Sequence, residues 1–284
     1  MERVNIGTNR VEIDELKDNQ TGLNNTAPNV TGGYLLEWDF RQGADHNIQV
    51  GGSGWVGISE PENEVDGSGI TTAQINYISN YVNQADTTLF SSNFADPTNG
   101  WRKYIDEKSL IDFYLVQELT KNLDANLYTS VYMYKTRDKV VNGVTVPGKL
   151  FFGPVWDFDT SMGDALYPAN QGVSTGWYLR NQNSNIEAKQ TSETWFNRLF
   201  ADPAFAAAVS ARWKVMYPKL VTSDAFIGSQ ATVITQSAAA NFQLWNINER
   251  LEDVQVIKGS WSAEVTSLRT WLKQRIAYMQ GQLG

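Results

Sequence analysis

The sequence contains no cysteine and only one histidine among its 284 residues. The first absence excludes disulfide scaffolds, thiolate zinc sites, iron–sulfur clusters and cysteine nucleophiles together. The second removes the H-E-x-x-H kind of zinc site, which needs two imidazoles. It leaves His46 as the sole histidine base for a Ser-His-Asp triad, and its setting, Ala44-Asp45-His46-Asn47, reads as an ordinary polar turn. Long apolar runs are missing as well: nothing approaches the ~20 residues that cross a bilayer, so no membrane span is expected. No charged-then-apolar leader stands at Met1. Basic charge is scarce, with 23 Lys and Arg against 31 Asp and Glu and a formal net charge of -8. That balance argues against a nucleic-acid partner, which requires a basic face. Carboxylates, lysines, hydroxyls and hard metal ions remain as the means of chemistry.

Core-forming material is plentiful. Hydrophobic residues make up 42% and aromatics 12% of the chain, enough to exclude a disordered polymer. At ~150 residues per domain, the length predicts two units or one large domain of two packed parts. The first part, 1–70, reads as β-rich. Arg3-Val4-Asn5-Ile6 and Arg10-Val11-Glu12-Ile13 alternate with period two, and Gly33 to Phe40 has strand composition. Strand-like sequence with no lead-in predicts that the chain belongs to something longer. The second part, 71–284, is mainly helical. Helices are predicted over Thr72 to Ala85, Ser109 to Leu123, Pro203 to Tyr217 with Pro218 as the stop, Ser223 toward Trp245, and from Ser262 through Met279. Strands first and helices last give an α+β class.

Gly52-Ser53-Gly54-Trp55-Val56-Gly57 matches G-x-G-x-x-G. A dinucleotide fingerprint must open a helix, whereas Ile58-Ser59-Glu60-Pro61 follows here. A kinase glycine loop must precede a strand with a lysine, and Ile58 to Asn76 has none. The hexapeptide therefore reads as a hairpin turn.

The region from Leu119 to Gly163 carries more. Asp124 stands where a helix gives way to a strand, and Asp157 stands where the second of two strand candidates, Val131 to Lys135 and Lys149 to Trp156, ends. A hairpin returns its ends to one place, so two carboxylates 33 residues apart in sequence can meet. Protein kinases use this layout: one aspartate receives the acceptor hydroxyl, and a second, at the exit of a hairpin, holds the metal on the nucleotide phosphates. Asp157 and Asp159, two apart on an extended chain, point the same way and can share a hard cation. The spacing alone leaves a plainer reading open, in which Asp124 caps a turn and the other two meet solvent.

Leu119-Thr120-Lys121-Asn122-Leu123-Asp124-Ala125-Asn126, Val131-Tyr132-Met133-Tyr134-Lys135 and Gly153-Pro154-Val155-Trp156-Asp157-Phe158-Asp159 resemble the CotH-type (spore coat protein H) atypical kinase family. Arg10 to Ile13, Gly32 to Glu37, Trp195 to Phe200 with Asp202-Pro203, and Trp271 to Ile276 fit it too, so the resemblance spans nearly the entire chain. It implies a protein-kinase-like large lobe that uses ATP with Mg²⁺ or Mn²⁺ to phosphorylate protein Ser/Thr side chains, in spore-coat or exported bacterial proteins. By the same resemblance Asp124 is the catalytic aspartate, Asp157 and Asp159 are the metal-binding pair, and Lys121, Asn122 and Asn126 support them. The resemblance also implies a secreted or cell-surface location and association with polysaccharide-degrading machinery. The family's small lobe, with its nucleotide-clamping lysine, is expected before Arg3, so residues 1–70 would be its hinge-side remnant and the isolated chain inactive or nearly so. Nucleotide-binding residues are not assigned. Where kinases carry a metal-binding Asn, about five residues after the catalytic aspartate, Thr129 and Ser130 stand instead.

A rival expectation comes from the ten tryptophans. Flat aromatic faces stack on sugar rings, which would make the chain a non-catalytic, polysaccharide-associated module binding glycan or a neighbouring domain. Trp195, Trp213 and Trp271 read instead as helix-packing core. A carboxylate-pair glycoside hydrolase is a third and weaker reading.

Overall fold

A computed structural model describes residues 4–16, 23–51, 54–62, 69–164, 172–180, 194–246, 248 and 255–284. At its centre is a five-stranded antiparallel sheet in the order β2-β3-β1-β4-β7. Its strands are β1 (Tyr34–Trp38), β2 (Asn47–Val50), β3 (Gly54–Glu60), β4 (Val131–Lys135) and β7 (Leu150–Phe152). A separate exposed hairpin, β5 (Lys139–Val141) and β6 (Val144–Val146), lies between β4 and β7 in the chain. The helices are α1 (Thr72–Leu89), α2 (Glu107–Thr120), α3 (Trp195–Phe200), α4 (Pro203–Leu220), α5 (Ser223–Val233), α6 (Thr235–Leu244) and α7 (Trp261–Leu283). The α+β class expected from the sequence is the one found.

The sheet crosses the expected division at residue 70. β1 pairs with β3 on one side and with β4 on the other, Leu36 opposite Met133 and Trp38 opposite Val131. Tyr34, Leu36 and Trp38 alternate into the core with Val56, Ile58, Val131 and Met133, as period-two side chains must. α1 lays Ile78, Val82, Ala85 and Leu89 into the same core. Its start is fixed by a capping box, Thr71 and Gln74 bonding each other's backbone amides. Gly54 is dictated by close approach, since a Cβ there would sit 2.5 Å from the Trp38 ring. Gly52 and Ser53 of the glycine hexapeptide lie outside the described residues. The rest of the hexapeptide is not the turn expected but the start of β3, paired with β2 and with Gly54, Val56 and Gly57 buried.

Three local expectations are corrected. Neither N-terminal alternating segment is a strand: Ile6 and Val11 form an isolated bridge around a turn closed by Arg10 N–H on the Gly7 carbonyl. Among the described residues no sheet edge is paired with them, and alternation without a partner makes no strand. α4 does not stop before Pro218 but continues to Leu220, because Trp213, Tyr217 and Leu220 pack in the core. Proline late in a helix removes one hydrogen bond, which packing offsets. The run from Ser223 is broken at Ile234 into α5 and α6.

α2 and α7 are joined by a fully buried ion pair. Arg275 Nη2 lies 3.0 Å from Glu118 Oε2, and neither side chain is exposed to solvent. Arg275 Nε and Nη2 also donate to the Glu118 carbonyl, and Nη1 donates to the carbonyls of Ser174 and Gly176. The Glu118 carboxylate accepts the amides of Tyr178 and Leu179. The coil 172–180 is thereby bound to two helices through its own backbone. Arg275→Ala is expected to cost ~3–5 kcal/mol, the scale for a buried charge stripped of its partner. Glu118→Leu combined with Arg275→Met should not restore stability, because the Tyr178 and Leu179 amides would lose their acceptor. Urea unfolding of the two variants checks this.

Candidate functional site

The site forms where α2 ends. Lys121, with φ of 48°, turns the chain out of the helix, and a 3-10 turn over Leu123–Ala125 follows. Asn122 is the joint. Its Oδ1 accepts the Asp124 amide at 3.2 Å, and its Nδ2 donates to the Asp157 carbonyl at 2.9 Å. Leu123 N–H reaches the Thr160 carbonyl and Met162 N–H the Thr120 carbonyl. The loop after α2 and the loop after β7 are thus laced together, as expected of a hairpin that returns its ends to one place.

Asp124, Asp157 and Asp159 are close enough to act on one another. Burial, then the charges of Asp159 and Asp157, push Asp124 up to about 6, with Arg41 opposing. The Asp124 carboxylate takes no hydrogen bond among the described residues, whereas Asp157 Oδ2 accepts from Ser130 Oγ at 3.3 Å. Asp159 is exposed and accepts the Thr160 amide. Backbone strain gathers here too. Lys121, Leu127, Ser130, Asp157 and Met162 are non-glycine residues with φ between 48° and 58°, a region costly for L side chains.

The supporting residues divide. Asn122 holds the two loops. Asn126 leaves a buried Oδ1 without a partner among the described residues, two positions after Asp124. Lys121 faces elsewhere: its buried Nζ donates to the carbonyls of Val173 and Thr175 at 3.0 and 2.9 Å. Burial lowers it to about 8.

Sequence reasoning missed the end of β1 and the residues after it. Asp39 Oδ1 accepts from Arg41 Nε at 2.9 Å and from Thr129 Oγ1 at 3.0 Å. Burial pushes Asp39 up, but the Arg41 and Thr129 hydrogen bonds outweigh it and hold the carboxyl below its usual range. Burial raises Glu37 against a bond from Tyr132. The Thr129 hydroxyl thus belongs to Asp39 and Arg41, while that of Ser130 serves Asp157. The available signal was two carboxylates, Glu37 and Asp39, bracketing Trp38 in an otherwise apolar strand. A cavity of about 480 Å³ opens on this side, lined by Glu37, Asp39, Arg41, His46 and Tyr132.

Among the described residues no group of three His, Asp or Glu side chains is arranged to hold a metal by itself. Two carboxylates with a hydroxyl suit a Mg²⁺-like ion that keeps waters and takes phosphate oxygens, rather than an all-protein cage. The orphan Asn126 Oδ1 is a further oxygen donor of the right kind.

The family model described as CotH kinase protein matches residues 2–279, and the chain belongs to that family. Membership makes its α+β fold kinase-like. No curated protein and no solved structure matches the chain. Among the described residues no helix is long and apolar enough to cross a membrane.

The elevated Asp124 has a measurable consequence. Its folded value of about 6 exceeds the ordinary 3.8, so the folded state binds the proton more tightly than the unfolded one. The contribution to stability is full below about pH 4 and is lost as pH rises through about 6. Asp124→Asn is therefore expected to raise the melting temperature at pH 7 relative to the parent chain, with the gain shrinking toward pH 4. Paired thermal melts at the two pH values check it.

Proposed function

We propose that this chain carries the carboxylate centre of an ATP-dependent phosphotransferase that phosphorylates hydroxyl side chains of proteins. The observation that carries the reading is Asp124: a carboxylate with no hydrogen bond among the described residues, raised to about 6 by burial and by the charges of Asp159 and Asp157. A general base works best with a value near the operating pH. Asp124 would orient the acceptor Ser or Thr hydroxyl and take its proton. The hydroxyl oxygen bonds to the γ-phosphorus of ATP as the bond to ADP breaks. Positioning and charge stabilisation are the protein's tasks in such a transfer.

Asp157 and Asp159 would hold Mg²⁺ or Mn²⁺, with Ser130 fixing one Asp157 oxygen. When bound, such an ion neutralises phosphate charge. Asn122 keeps the base and the metal pair in register through its two bonds. A secreted or cell-surface bacterial setting, with spore-coat or exported proteins as substrates, belongs to the same proposal. The rival glycan-binding reading loses Trp195, Trp213 and Trp271, which are 3%, 0% and 7% exposed.

With ATP, Mg²⁺ and a Ser/Thr-bearing acceptor protein, Asp157→Asn should abolish metal-dependent transfer. Asp124→Asn should slow transfer by ~10²–10⁴-fold, as for loss of a general base, while leaving Mn²⁺ and nucleotide binding largely intact. Radiolabel transfer and calorimetric titration separate the two effects. Wild-type rates in both variants would sink the assignment.

A further inference from the structure

Glu37, Asp39, Asp124, Asp157 and Asp159 crowd one region with negative charge, and a phosphate group entering it meets a repulsive field. Arg41 is the cation that acts on Asp124 there. It lies just past β1, and its exposed side chain would pass for a surface residue. Exposed Arg–Asp pairs contribute little, so the Asp39 contact alone would carry no argument.

The second anchor changes that. Arg41 Nη2 donates to Thr129 Oγ1 at 2.5 Å, across 88 residues of sequence, and Thr129 is itself 7% exposed. Nε and the backbone amide both donate to Asp39 Oδ1. Phe40 is stacked on Tyr128 at 4.2 Å, fixing the backbone between Asp39 and Arg41. The planar guanidinium is therefore locked at two of its three nitrogens. Nη1 has no partner among the described residues, and the side chain remains 58% exposed on the wall of the 480 Å³ cavity. A fixed fork with one open donor is the geometry that recognises a phosphate oxygen.

We propose that Arg41 is an anion-binding residue whose Nη1 receives a phosphate oxygen at the wall of that cavity. A locked donor needs no reorganisation as charge shifts onto the phosphoryl oxygens. The identity of the anion as the phosphoryl group being transferred rests on the phosphotransferase reading, whereas the anion site itself does not.

Tripolyphosphate is the probe, titrated calorimetrically with and without Mg²⁺ into the parent chain, Arg41→Met, Arg41→Lys and Thr129→Val, with thermal melts as the folding control. The parent chain should bind. Arg41→Met should weaken binding ~10- to 100-fold, the size of one lost charge-assisted hydrogen bond, without lowering the melting temperature by more than a few degrees. Lysine cannot hold Asp39 and Thr129 and still aim a third donor, so Arg41→Lys should recover little. Thr129→Val should weaken binding while leaving the charge in place. Parental affinity in Arg41→Met, or no binding by the parent chain, overturns the assignment. Binding that depends on Arg41 in a chain that never transfers phosphate keeps the anion site and sinks the phosphotransferase reading alone.

Discussion

The Glu118–Arg275 pair is the contact on which the arrangement of the site depends. Two fully desolvated charges are costly to bury, and here they are satisfied by the Glu118 carbonyl of α2 and by backbone groups of a segment with no regular structure. Arg275 holds the carbonyls of Ser174 and Gly176, Glu118 holds the amides of Tyr178 and Leu179, and Lys121 holds the carbonyls of Val173 and Thr175. A coil lacking a ladder must place its polar groups somewhere, and here buried charges receive them. The consequence reaches Asp124: Tyr178, pinned through its amide, donates its hydroxyl to the Leu123 carbonyl, one residue before the aspartate. Helix α7, distant in sequence, thereby helps set the position of the loop after α2.

How far the sequence revealed this follows from the range of each contact. The relation of Asp124 to Asp157 was legible only in outline: the strand expected to run to Trp156 ends at Phe152, and Asn122 rather than the strand end ties the Asp157 loop to that of Asp124. The α+β order and the starts of α1 and α4 were legible because caps and periodicity act within a few residues. Glu37, Asp39 and Arg41 were not, since Arg41 reaches Thr129 across 88 positions and no short motif encodes that approach. Lys121 was grouped with the catalytic aspartates by the family resemblance, whereas its side chain, after a left-handed turn at its own backbone, bonds the carbonyls of Val173 and Thr175. The alternating segments near the N-terminus carried strand patterning without a strand to pair with. Tertiary partners, not local propensity, decided each of these.

Two separate costs coincide at the loops after α2 and β7. Burial and the charges of Asp159 and Asp157 raise the proton affinity of Asp124, which destabilises the folded chain near neutral pH, and five left-handed non-glycine residues add backbone strain in the same place. The sheet and α1 each hold one carboxylate raised by burial, Glu37 and Asp86, but no left-handed non-glycine residue, and so do not combine the two costs. Both would be relieved by simple changes, such as asparagine for Asp124 or glycine for Ser130. Such concentrated, avoidable expense is what a chemical site shows and a packing core does not. The buried ion pair, Asn122 and the Arg41 fork are then the parts that hold a strained, self-repelling group of carboxylates in one geometry. On the proposed phosphotransferase reading, a hard cation and a phosphate are the ligands whose charges would complete it.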